Sequence, residues 1–364
     1  MPVTGIIRAV GAISGTSMDA IDVAVLESDG LSRVHTLGGG AMPYPQDLRA
    51  KLQAVIADPA RAETGNLDAL EAEVTEAFAG AIRAVLAQKG LDLGTVDLVG
   101  LHGQTVFHRP ERRFTRQLGD GARLAHALER PVVNRFRHAD VAAGGQGAPL
   151  VPLYHAALAA GLEHPLVVLN LGGVANITYL DGETVLACDT GPASALIDDA
   201  MMHHFGEPYD RDGAVARGGR VEAALLADWL QHPFFVQPLP KSLDRNDFHR
   251  LTRAARDLAP ADEIATLTAF TIAATAAVVR HLPRPALRWL VTGGGRHNPV
   301  FMRGFAEQLG VPVEPVEAAG WDGDLLEAEC FAYLAIRSRL GLPLSLPGTT
   351  GVPEPMPGGA FWPA

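Results

Sequence analysis

A chain of 364 residues with 48% hydrophobic and 20% charged residues is a folded globular protein, too long for one ordinary core, so two domains are expected. Its net charge of −11 argues against nucleic acid or an anionic membrane as the main partner. Cys188 and Cys330 form no CxxC pair, which argues against a disulfide framework and a zinc site. No basic segment followed by an apolar one opens the chain, and Ala265 to Val279, at 15 weakly polar residues, is too short for a span. We expect no membrane partner and a cytoplasmic location.

In chain order, Ile6 to Ile13 and Ile21 to Leu26 read as strands around the polar turn Ser14, Gly15, Thr16, Ser17 and Asp19. This is a hairpin with a polar tip, either an ordinary surface turn or an anion cradle of backbone N–H groups and hydroxyls. Leu67, Leu70, Val74, Phe78, Ile82 and Val85 recur at helical spacing, with Gly90 as a stop. The stretch 96–110 reads as a strand running into a loop with His102, Gln104 and His108, and 129–136 as a short strand. Residues 140–162 form a Gly-rich loop that becomes a helix. Near the midpoint the opening pattern returns: an apolar run from 165, a polar turn with Asn170, Gly172, Gly173 and Asn176, and a second strand. A third strand, Thr184 to Cys188, ends in Asp189-Thr190-Gly191-Pro192 ahead of a helix. Residues 288–310 read as strand, Gly293-Gly294-Gly295, then helix. The layout suggests two α/β halves, each opened by a hairpin: an N-terminal domain at 1–135, which the tail 345–364 is free to rejoin, and a C-terminal domain at 136–344.

Common nucleotide and catalytic signatures are missing: GxxxxGK[ST], GxGxxG after the first strand, HRD, DFG, GxSxG and HExxH. What remains is a set of Gly-rich turns at 14–20, 170–176 and 293–295, each ending an apolar strand. In a duplicated layout they fit phosphate-facing hairpins and an adenosine-facing loop.

The segments "SGTSMDAID" (14–22), "HGQTVFHRP" (102–110), "DVAAGGQGAPLVP" (140–152), "NLGGVANIT" (170–178) and "DTGP" (189–192) carry a resemblance. It continues through "PKSLDR" (240–245), "TGGGRHNP" (292–299), "EAECFAYLA" (327–335) and "LPGTTG" (346–351). Together they resemble the anhydro-N-acetylmuramic acid kinases of the sugar kinase, Hsp70 and actin superfamily. The resemblance implies an α/β, two-domain actin/hexokinase/Hsp70-like fold, with an RNase H-like core in each half and an interdomain cleft. It also implies ATP and Mg²⁺ as cofactors and a small anhydrosugar as substrate. The implied reaction phosphorylates O6 of 1,6-anhydro-N-acetylmuramic acid while water opens the bridge at C1, a step in peptidoglycan recycling. A homodimer is one oligomeric state it allows. A kinase for another anhydrosugar such as levoglucosan, or a non-catalytic ATP-binding module, are the alternatives.

By resemblance the 14–20 turn is the first phosphate hairpin, Gly172 and Gly173 lie in the second, and Gly293, Gly294 and Gly295 lie against adenosine. Asp189 matches the family's catalytic base, against a reading as helix N-cap; water attacking C1 must lose a proton. Asp19 is a candidate for Mg²⁺ or the phosphates, and Glu327 for the metal, unless it only complements a helix dipole. His102, Gln104 and Asn176 are candidate substrate contacts, the first two with loop ordering as the alternative. Lys241 and Arg245 either meet substrate or sit in a solvated loop, and Asn298 and Arg296 either touch nucleotide or cap a helix at Pro299. The chain departs from the family pattern at Ala20, Arg135, Ala193-Ser194 and 243–246. Ala20 would strain the turn if that position required positive φ.

Overall fold

The computed structural model describes residues 5–15, 18–243, 248, 250 and 252–364. Thr16, Ser17 and Arg245, three of the candidates above, lie outside them. The chain divides into two compact units, Met1–Gly161 with Leu325–Ala364, and Leu162–Asp324.

In the first unit the opening hairpin is β1 (Ile7–Ser14) and β2 (Ala20–Ser28), antiparallel with Ile13 opposite Asp22. β3 (Val34–Pro43) extends it; its Gly38-Gly39-Gly40 run hides the alternation by which a strand is recognised. The chain then crosses over through the helix Asp68–Gln88 and returns as β4 (Leu98–Arg109), parallel to β1. β5 (Phe114–Leu118) pairs with the end of β4, so residues 102–108 are strand and not the expected loop. β6 (Val132–Asn134) and the C-terminal strand Ala360–Trp362 complete the sheet, whose order is C-terminal strand, β6, β4, β1, β2, β3. The helix Leu326–Arg339 packs on β1, β2 and β4. It comes so close that a Cβ on Gly11 or Gly100 would collide with the carbonyls of Ala328 and Phe331. That packing moves the unit boundary from the expected 344 to Leu325. The expected start at 136 also falls inside the first unit, which runs to Gly161. There, Asp140 is buried and accepts hydrogen bonds from Gly147 N–H (2.6 Å), Thr350 Oγ1 (2.6 Å) and the Ser345 hydroxyl. One carboxylate thus ties the Gly-rich loop to the C-terminal segment.

The second unit repeats the plan. β7 (Leu166–Leu171), β8 (Val174–Asp181) and β9 (Thr184–Pro192) run antiparallel, while β10 (Arg288–Thr292) and β11 (Val313–Pro315) add on parallel to β7. The order is β11-β10-β7-β8-β9, the same arrangement as β6-β4-β1-β2-β3. Identical order and direction in both sheets is a duplicated RNase H-like core. The helix Pro260–Ala276 lies in the second core, its Phe270 packed against Trp229 and Phe235. With its continuation to His281 it is long and apolar enough to cross a membrane, unlike the shorter stretch expected from sequence, yet 67% of its apolar window is buried inside the protein. Burial in the core accounts for its composition.

Candidate functional site

In the second unit the Gly-rich turns line a cavity of about 620 Å³, within the range of small-molecule sites. Gly172, Gly173, Gly294, Gly295 and Asn298 face it, as do Tyr209 to Asp212, His297 and Phe301. The glycines differ in why they are glycine. A Cβ on Gly294 would meet nothing, and one on Gly172 or Gly173 only ordinary contacts at 3.8 and 3.5 Å. Packing therefore does not require those three, whose backbone is open to the cavity. Gly293, at φ +77°, and Gly295 are required locally: their Cβ atoms would lie 2.5 Å from Asn170 Oδ1 and 2.6 Å from Leu171 Cβ. Such an open glycine cradle fits a nucleotide, whose phosphates need close backbone approach. Asn298 lines the cavity and also caps the helix Pro299–Leu309 by accepting from Val300 N–H at 2.9 Å. Arg296 is 3% exposed and held by Glu317 (2.9 Å) and Asp324 (2.7 Å), so its charge fixes the loop.

Asp189 is not a helix cap. It lies within β9, opposite Asn176, and the helix Ser194–Phe205 begins after Ala193 without a side-chain cap. Its main-chain N–H donates to Lys241 O (3.0 Å), and its Oδ2 accepts from Leu243 N–H (2.8 Å). Burial lifts the carboxyl to about 6, opposed by the Leu243 hydrogen bond. A base with that value is ionised, yet not far below neutrality, at the pH where it must act. Lys241 is neither solvated nor open to a substrate: its ammonium donates to Phe234 O (2.9 Å) and sits 4.4 Å from the centre of that ring.

In the first unit, Gln104 is fully buried and donates to Gly15 O (3.3 Å) and Thr105 O (3.2 Å), fastening the hairpin to β4. Ser14 Oγ is buried beside the Tyr44 phenol without a hydrogen bond of good geometry among the described residues. Ala20 is a strand residue opposite Pro43; the positive φ, +55°, falls on Met18, so Ala20 strains nothing. Asp19 is two-thirds exposed and pairs with Arg49 at 2.6 Å. His102 is buried, and burial with the nearby Arg137 charge keeps it neutral. Arg137 Nε donates to its Nε2 (2.9 Å), so the proton sits on Nδ1 and goes to Gly103 O (2.9 Å). Arg137 Nη1 donates to Gly147 O (2.6 Å), and its charge opposes the burial that raises Glu327. Glu327 keeps an exposed surface in the first turn of its helix although protein atoms crowd the carboxyl.

Residues 7–364 match the model of a family described as anhydro-N-acetylmuramic acid kinase. A protein of that name from Nitrobacter winogradskyi is 50% identical, over 96% of this chain and 98% of its own. Another from Rhodopseudomonas palustris is 51% identical with the same coverage. The chain belongs to the anhydro-N-acetylmuramic acid kinase family. It is a phosphotransferase, and membership implies ATP as donor and a sugar as acceptor. Among solved structures, a ROK family glucokinase from Streptomyces griseus in complex with glucose and AMPPNP has a TM-score of 0.43 at 14% identity, covering 90% of this chain and 99% of that one.

For this kinase family member, sequence reasoning missed two pieces. Arg137 was hidden because its role depends on His102, 35 residues away. The 209–212 wall of the cavity was not singled out, although Asp212, at φ +55°, and Gly213, at +64°, bend the chain sharply beside the cavity. The "DRDG" spelling was the available signal.

Proposed function

We propose that the protein uses ATP to phosphorylate 1,6-anhydro-N-acetylmuramic acid with hydrolytic opening of the anhydro ring, yielding N-acetylmuramate 6-phosphate for cell-wall recycling. The observation that carries the mechanism is the Asp189 carboxylate, oriented through one oxygen and held at about 6. Asp189 takes a proton from water as the water oxygen bonds to C1. The bond from C1 to the bridging oxygen breaks, and that oxygen, left on C6, attacks the γ-phosphorus and displaces ADP. No separate base is needed for a sugar hydroxyl. The cavity glycines Gly172, Gly173 and Gly294 give backbone access to the nucleotide, and Gln104 braces the first-unit hairpin at Gly15, which by family resemblance is a phosphate hairpin.

Among the described residues no cluster of three metal-ligating side chains exists. Mg²⁺ bound through phosphates needs only one or two carboxylates, which Asp19 fits by exposure and Glu327 fits less well beside Arg137. Such a Mg²⁺ would neutralise charge on the transferred phosphoryl group. Because ATP is cytoplasmic, the reaction belongs in that compartment.

Asp189→Asn keeps the shape and removes the basicity, so turnover falls at least roughly a hundredfold while ATP affinity holds. The bridge covers the β face of C1, so attack comes from the α face and rapid proton NMR sees the α anomer first. An initial β anomer, or near-normal turnover in Asp189→Asn, sinks the water-activation role. A coupled ADP-release screen that included levoglucosan would assign the substrate.

A further inference from the structure

Lys241 has no part in the reaction above, and it is 8% exposed in a loop that sequence alone would leave in solvent. β9 is the edge of its sheet, and residues 241–243 lie along that edge. They make two bonds to one residue: Lys241 O accepts from Asp189 N–H, and Leu243 N–H donates to Asp189 Oδ2. The Lys241 side chain is fixed to the Phe234 carbonyl and ring, within a cluster of Phe234, Phe235, Phe248 and Phe270. A buried ammonium with one acceptor and a ring face is held tightly, because moving it would leave the charge desolvated and unpaired.

We infer that Lys241 is a positioning residue for the reaction: its ammonium pins the 241–243 segment so that Leu243 N–H engages Asp189 Oδ2 and leaves Oδ1 to accept the proton of water. The inference rests on the reading of Asp189 as base. A hydrogen bond to the ionised carboxylate favours that form, and a pinned donor stops the carboxylate turning away from water. Among the described residues, the groups near Asp189 are Leu243 N–H, Asn176 opposite it on β8, and the thiol of the preceding Cys188, which burial pushes up to about 12 and keeps neutral. Among the described residues, Cys188 and Arg280 are the charged or titratable groups that act on Lys241 itself.

Lys241→Met keeps the length and the contact with Phe234 but not the charge. With the purified enzyme and both substrates across pH 5–9, kcat should fall about tenfold, with KM for ATP within twofold and the acid limb of kcat moved to higher pH. Lys241→Arg, which still donates to a carbonyl and lies over a ring, should restore most of the rate. If Lys241→Met does not fold, Lys241→Gln carries the same expected shift of the limb. A wild-type kcat and limb in these variants overturns the inference, and so does a raised KM for sugar with the limb unmoved, since that marks a substrate contact. Asp189→Asn separates the two readings. An inactive Asp189→Asn with an unaffected Lys241→Met removes only the positioning role, whereas an active Asp189→Asn removes the base itself.

Discussion

Asp189→Asn should make the protein more stable. Burial raises this carboxyl from 3.8 to about 6, so ionisation is harder in the folded chain than in the unfolded one. The folded state therefore carries a penalty that is absent below the unfolded value, grows as pH rises through the folded value and is constant above it. At ~1.4 kcal/mol per pH unit the penalty has a ceiling of ~3 kcal/mol at pH 8 and about half that at pH 5. Asparagine is neutral and can still accept from Leu243 N–H, so the substitution removes the penalty without orphaning the donor. For a unit of this size that corresponds to a rise in Tm on the order of 5–10 °C at pH 8. The assay is urea unfolding followed by tryptophan fluorescence at both pH values, because Trp229 and Trp289 are buried in the second unit. A variant that is less stable at pH 8, or a gain that does not shrink toward pH 5, refutes the reasoning about burial.

Two adjacent glycines should respond differently to substitution. Gly294→Val should fold normally and lose at least about tenfold in ATP affinity by calorimetry, whereas Gly295→Ala should lower Tm through its collision with Leu171; equal effects on both would count against the cradle. Asp140→Ala leaves Gly147 N–H, Ser345 and Thr350 without their buried acceptor and should destabilise the first unit by about 3 kcal/mol in urea. His102 should stay neutral between pH 5 and 8 in nitrogen-15 NMR, with the proton on Nδ1; a titration in that range would break the assignment of Arg137 as its donor. Met18→Gly should destabilise the first unit by about 2 kcal/mol, because Met18 is buried in the first core and relief of its +55° φ returns only about 1 kcal/mol; an unchanged or higher Tm would show that the backbone strain outweighs the packing.

By itself the sequence determined the local events. Apolar alternation and turn residues place β1, β2, β7, β8 and β10, and the recurrence of a polar turn after each hairpin's first strand betrays the duplication. Asp189 and the open glycines could be singled out because motif and chemistry coincide at them. Tertiary structure decided what depends on partners distant in the chain. β3 and the second half of β4 are strands because β2 and β5 supply the hydrogen bonds their own sequence does not advertise. The helix Leu326–Arg339 joins the first unit because glycines 11 and 100 admit its backbone. Lys241, Arg296 and His102 read as exposed or ligand-facing polar residues, yet each is buried against a partner. A side chain's charge is written in the sequence, but whether water, a ligand or a carbonyl satisfies it is set by what the fold brings within 3 Å.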